Sequence, residues 1–198
     1  MQTPPEGGDP GEGLSRRRLF KLGLAGAAAL AVAGAAGRLF TGDPLAPGEV
    51  ALGLTPHGLH VARALVEALL PEEEGFPAGV SLGVHQRLDE EAWAAPPLVR
   101  EDIQSALMLI EHAPLLLGYG GRMSRLPVAR RLEAFEALLQ HKARLVVAAA
   151  SSVRQMIYAF YYAHPGSWAG MGYQGPFVPE PRPPESALRY AALLRERG

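Results

Sequence analysis

The chain has 198 residues, with 19 Lys and Arg against 20 Asp and Glu and a formal net charge of −1. Such a balance supplies no basic field and excludes nucleic acid as an electrostatically recruited partner. The absence of cysteine excludes disulfides, thiolate-held iron–sulfur clusters and covalently attached c-type haem on this chain.

The opening 14 residues are acidic and rich in Gly and Pro. Ser15-Arg16-Arg17-Arg18-Leu19-Phe20-Lys21 follows, ahead of an uncharged run from Leu22 to Gly37 built of Ala, Gly, Leu and one Val. A basic segment, an apolar segment and small residues at its end are the parts of an export signal. Ser15, Arg16, Arg17, Leu19, Phe20 and Lys21 resemble the twin-arginine variety. The Tat translocase carries folded passengers, so the expected destination is the periplasm or the periplasmic face of the inner membrane. The competing reading is a membrane anchor. The run is shorter than the roughly 20 apolar residues that span a bilayer, and Ala31-Val32-Ala33 and Ala33-Gly34-Ala35 both suit a signal peptidase. Residues 1–37 are thus read as leader and signal, and 38–54, with Asp43-Pro44 and Pro47-Gly48, as a linker.

One helical domain is expected over 55–198, about the size for a single core. Thr55-Pro56 suits a helix start, and Val61, Leu65, Ala68 and Leu69 share one face before Pro71 ends the helix. A second, shorter helix is expected from Ala78 to Glu91, with Val80, Val84 and Leu88 inward, although Gly79 and Gly83 weaken it. After Pro96-Pro97 a third runs from Val99 to Leu117 through Ile103, Leu107 and Ile110, with Pro114 kinking or ending it. Gly118, Gly120 and Gly121 make a flexible connection. The longest periodic stretch is Pro127 to Ala163. Its first half places Val128, Leu132, Phe135 and Leu139 inward and Arg130, Arg131, Glu133 and Glu136 outward. Its second half places Val146, Ala149, Val153, Met156, Ile157 and Phe160 inward, and Leu145–Ala150 reads as buried on every side. A bend is expected near His141-Lys142-Ala143. A last helix spans Glu185 to Arg195. No stretch alternates with period two, so the expected class is all-α, a compact irregular bundle.

Catalytic patterns are sparse. His57 and His60 are three apart, but no histidine has a glutamate three positions before it, as a ferritin-like di-metal bundle needs. Zinc would want three or four clustered ligands. The six histidines read as surface or capping residues, and no metal or cofactor is expected on this chain. There is no Gly-x-Ser-x-Gly elbow, Ser151-Ser152 falls inside a predicted helix, and no Gly-rich loop joins a strand to a helix. Gly118-Tyr119-Gly120-Gly121 reads as a helix-ending turn.

Half of the aromatic residues lie between Tyr158 and Phe177. A disordered loop would carry few, so this Gly/Pro-rich segment packs either on its own bundle or on a partner, for which Tyr and Trp are favoured anchors. Phe160-Tyr161-Tyr162-Ala163-His164-Pro165, then Trp168, then Gly172-Tyr173-Gln174-Gly175-Pro176, together with the Ser15–Lys21 start and an all-helical body, resemble the gluconate 2-dehydrogenase subunit 3 family. The Thr55-Pro56 to Leu70-Pro71 stretch is similar to that family's opening helix.

The resemblance implies a non-catalytic small subunit. Its partners would be a large glucose–methanol–choline (GMC) type flavoprotein holding FAD and, in some complexes, a cytochrome c subunit, so haem c or iron–sulfur chemistry would also lie off this chain. Its signal would carry both subunits across the membrane as a folded pair. Trp168, Tyr173, Gly175 and Pro176, with Gly172 and supported by Tyr161 and Tyr162, are the implied contact. The Pro-rich linker and tail and the Gly-containing second helix depart from the family pattern. A stand-alone exported helical protein, ferritin-like or haem-binding, is the alternative.

Overall fold

A computed structural model describes Leu45, residues 47–176 and residues 183–197. The signal residues Ser15 to Lys21, the first part of the expected linker and Phe177 lie outside the described residues. Those described form helices joined by turns, with no strand among them beyond a single Glu73–Phe76 bridge. The class is all-α.

Helix α1, Pro56–Leu69, starts as its sequence dictates: the Thr55 hydroxyl accepts from the Gly58 N–H at 3.0 Å and Pro56 occupies the first turn. Leu59, Val61, Ala62, Leu65 and Val66 are all fully buried, so α1 is the central helix rather than one with a single inward face. Helix α2 is Val84–Ala94. It begins six residues later than the spacing predicted. Residues 79–83 are turns, because Gly83 sits at φ +70°, a left-handed conformation that a helix cannot contain. A side chain at Gly79 would also meet Val66 and Leu70 at 2.8 Å.

Helix α3, Pro97–Leu116, accommodates Pro114 in its final turn and stops two residues later. A short 3₁₀ turn, Met123–Arg125, leads into α4, Val128–Leu139. The expected bend at His141-Lys142-Ala143 is a complete break, and α5, Arg144–Ala163, is a separate helix. The one-turn α6, Pro165–Trp168, and the C-terminal α7, Glu185–Arg197, complete the order. α1 packs on α2, α3 and α4, and α5 on α2, α3 and α4. Leu65, Leu88, Leu107, Phe135, Leu138 and Ile157 fill the space between them, each burial stabilising the fold by about 1.5–3 kcal/mol.

Two faces differ from the predicted ones. On α4, Val128 and Leu132 are exposed, and the buried stripe is Arg131, Ala134, Phe135 and Leu138. Arg131 points inward because its guanidinium finds four acceptors there: the carbonyls of Ala64 (2.6 Å), Ser124 (3.2 Å) and Leu126 (3.1 Å) and the Glu67 carboxylate (3.0 Å). On α5 the fully buried residues are Ala150, Val153, Ile157 and Tyr161, with Val146, Met156 and Phe160 partly covered. Leu145 and Ala148 are exposed, so Leu145–Ala150 is not buried all round, and Ser152 faces solvent.

The end of the expected linker is built into the domain. Asp89, buried on α2, accepts from the backbone N–H groups of Leu52 (2.9 Å), Gly53 (3.1 Å) and Leu54 (2.7 Å). It also accepts from the Tyr190 hydroxyl of α7 at 2.7 Å. Burial, then the contact with Asp89, drives the Tyr190 pKa up, so this phenol stays a donor. Glu49 adds a second tie, pairing with Arg63 at 2.7 Å and His85 at 2.9 Å.

Candidate functional site

The aromatic segment begins on the last turn of α5. Tyr161 is buried, and its hydroxyl donates to the Pro77 carbonyl at 2.8 Å. Burial pushes the phenol pKa up, and Tyr162 and Glu73 add to the shift. Of the sequence-predicted contact residues, Tyr161 is therefore a core strut rather than a surface. Its neighbour Tyr162 points outward, 46 % exposed, with the two rings edge-on at 5.3 Å.

His164 breaks the helix and caps the next one. Its Nδ1 accepts from the Gly166 N–H at 3.0 Å. Ser167, buried beneath, donates through its hydroxyl, which lies 2.9 Å from both the Tyr161 and His164 carbonyls. These bonds satisfy carbonyl groups that a helix end leaves open. The chain then folds back on itself. Trp168 Nε1 donates to the Tyr162 carbonyl at 3.1 Å, and the Tyr173 ring stands edge-on to the indole at 5.2 Å. Gly172 (φ +65°) and Gly175 (φ +108°) make the two reversals. A side chain at Gly175 would sit 3.3 Å from the Trp168 ring, so glycine is needed there for both angle and space.

Trp168 is thus the half-buried hub of a small knot, and self-packing accounts for it and for Gly175. What the knot presents outward is Tyr162, Met171 (42 % exposed), Tyr173 (43 % exposed) and Pro176. Beside it, Tyr158, Tyr162, Phe76 and Glu73 line a cleft of about 150 Å³. Aromatic rings with a polar tip, half covered and held on a braced turn, offer contact area at low entropic cost. Ala159, Phe160, His164 and Tyr190 border a larger hollow of about 620 Å³ on the other side of α5.

A second polar cluster lies inside the bundle, where no charged residue was expected. Glu111 of α3 is fully buried. It accepts from the Ser124 N–H (2.9 Å) and hydroxyl (2.7 Å), and Arg122 Nε (3.5 Å) and His57 Nε2 (3.6 Å) flank it. The expectation that all histidines are surface or capping residues holds for His164 and for His141, whose Nδ1 accepts from the Ala143 N–H. It fails for His57 and His85, both buried. Among the described residues no three His, Asp or Glu side chains converge as metal ligands. No helix among them is long and apolar enough to cross a membrane.

Both buried histidines have pKa values lowered chiefly by burial, against the raising influence of Glu111 on His57 and of Glu49 on His85. Arg122, His112 and His60 lower His57 further. In the unfolded chain each titrates near its ordinary value of about 6.5. On acidification the unfolded state therefore takes up protons first. The neutral rings' contribution is complete above about pH 6.5 and is lost as pH falls through the lower folded values. The unfolding free energy from urea titration should drop between pH 7 and pH 5, by at most about 1.4 kcal/mol per pH unit for each histidine. A His57→Gln/His85→Gln chain with an equally steep decline would show that other groups control it.

Asp89, Glu111, Arg131, His57 and Tyr190 were all missed as structural or site residues by sequence reasoning. A usable signal existed for three of them. His85-Leu88-Asp89-Ala92, Leu107-Ile110-Glu111-Pro114 and Arg131-Ala134-Phe135-Leu138 each run i, i+3, i+4, i+7, the spacing of a buried face. Compared with family models, curated proteins and solved structures, the chain finds no match.

Proposed function

We propose that this chain is the non-catalytic small subunit of a periplasmic or membrane-associated, FAD-dependent GMC-type sugar or alcohol dehydrogenase. Its twin-arginine signal would export the folded pair, and its helical domain would hold the flavoprotein. FAD, and haem c where a cytochrome subunit joins, would sit in the partners. The observation that carries the reading is the aromatic-then-Gly-Tyr-Gln-Gly-Pro ending, 160–176, on a chain that opens with Arg16-Arg17. The outward set Tyr162, Met171, Tyr173 and Pro176, held on the Trp168 knot, supports it as a docking rim. In this reading Tyr161, Gly172 and Gly175 act by shaping that rim.

The test is a tagged pull-down of the full chain from its native cells, with a flavin spectrum and mass identification of what co-elutes. A large flavoprotein in matching amount is expected. Arg16→Lys/Arg17→Lys should leave both proteins in the cytoplasm. Tyr173→Ala, at an exposed position, should weaken capture by roughly thirtyfold if it is an anchor worth about 2 kcal/mol. A colourless single chain would sink the reading.

A further inference from the structure

The core takes only one face of α5. A second face, carrying Leu145, Ala148, Ala149, Ser152 and Met156, lies open beside α3 and lines an apolar groove of about 680 Å³. Leu145 is 74 % exposed on this face, and Val99 on the α3 wall is 45 % exposed.

The two ends of the groove differ in charge. Glu91 and Asp102 belong to its lining. Glu91 pairs with Arg87, whose guanidinium lies over the Phe160 ring at 5.2 Å, which puts Glu91 beside the C-terminal half of α5, and Asp102 stands on the second turn of α3, the helix that starts six residues after Glu91. At the other end Lys142 and Arg144, both exposed, precede Leu145. There the N-terminal dipole of α5 adds to their positive charge. An occupant that suits both ends is a helix antiparallel to α5, apolar on one face and basic at its N-terminus.

We propose that this occupant is α5 of a second copy, and that two chains pair through this groove about a two-fold axis. Turned by that axis, the Lys142–Arg144 end of each copy meets Glu91 and Asp102 of the other. Leu145 enters the apolar groove near Met156 of its partner. Ala148, Ala149 and Ser152, near the middle, let the two backbones come close. The symmetry makes every contact twice. The aromatic rim at the far end of α5 is not used, so the pairing does not rest on the proposed docking of a flavoprotein.

Light scattering and sedimentation velocity on the purified full chain test this. A dimer is expected, and Leu145→Glu should weaken it about thirtyfold while the chain keeps its helical circular dichroism spectrum. Arg144→Glu should weaken it as well, and adding Asp102→Arg should restore it, a rescue that generic destabilisation cannot produce. The cysteine-free chain makes Ala149→Cys and Ser152→Cys clean probes, and oxidation should yield disulfide-linked dimers. A folded monomer at every concentration would overturn the proposal. So would a dimer indifferent to Leu145→Glu, or a Leu145→Glu chain that loses capture of another protein but not self-association.

Discussion

Asp89→Ala is expected to lower the unfolding free energy by roughly 4 kcal/mol. The carboxylate is fully buried and accepts four bonds, from the N–H groups of Leu52, Gly53 and Leu54 and from the Tyr190 hydroxyl. Alanine would leave these donors without an acceptor, at about 1–3 kcal/mol for each one that stays buried and dry. For a domain of this size the thermal midpoint should fall by about 8–16 °C. Asp89→Asn separates the contributions. Its amide oxygen can still accept from Gly53 and Leu54, but its NH₂ would face the Leu52 N–H, donor against donor. About half the loss should remain. Tyr190→Phe removes only the hydroxyl, with its bond to Asp89 and its longer contact with the Gln86 carbonyl at 3.4 Å, and should cost about 1 kcal/mol. Thermal and urea unfolding of the three variants measure this, and an Asp89→Ala chain as stable as Tyr190→Phe would mean that the 52–54 segment is not anchored there.

Arg131→Met should cost about 3 kcal/mol, and its neighbour Arg130→Met no more than about 1 kcal/mol. Arg131 is buried and ties α4 to α1 and to the turn before it through four bonds. Methionine fills the volume but leaves the Ser124 and Leu126 carbonyls without their donor, and breaking a buried charged network is expensive. Lysine keeps the charge but cannot span acceptors on both sides, so Arg131→Lys should recover less than half. Arg130 pairs with Glu133 at 3.1 Å, with both side chains more than half exposed, and lies over the Tyr119 ring at 5.2 Å, which places its effect within about 1 kcal/mol. Equal urea midpoints for Arg130→Met and Arg131→Met would remove the cross-tie from the account.

These two arginines illustrate why part of the fold was legible and part was not. Adjacent in sequence and identical in type, they were both assigned to the outer surface by composition. The spacing to Ala134, Phe135 and Leu138 put Arg131 on the buried face, yet burial of a charge becomes tolerable only when acceptors from α1 and the 3₁₀ turn arrive. Those on α1 lie 64 to 67 residues away, beyond any local window, and those 5 to 7 residues away face the guanidinium only because the 3₁₀ turn folds them there. Asp89 is the same case, hidden in the run Asp89-Glu90-Glu91. On α5 the error ran the other way. Leu145–Ala150 looked buried because it is apolar, whereas none of the described helices covers Leu145 or Ala148.

The aromatic segment was legible as a unit, but its division was not. Tyr161 and Tyr162 are interchangeable in sequence, and one is a strut bonded to Pro77 while the other is exposed. A 100° step along α5 separates them, and only the packing of the 75–77 turn decides which ring is covered.

By itself the sequence determined the all-α class, the start of α1 at Thr55-Pro56, an interruption of some kind near residues 141–143 and the position of α7. All of these follow from local terms: capping, proline geometry and the 3.6-residue period of apolar side chains. Tertiary structure alone decided the late start of α2 and the inward turn of Asp89, Glu111 and Arg131. It also decided the joining of residues 49–54 to the domain and the open face of α5. Those depend on whether a distant group arrives to accept a hydrogen bond or to cover an apolar side chain, and desolvation makes that arrival decisive.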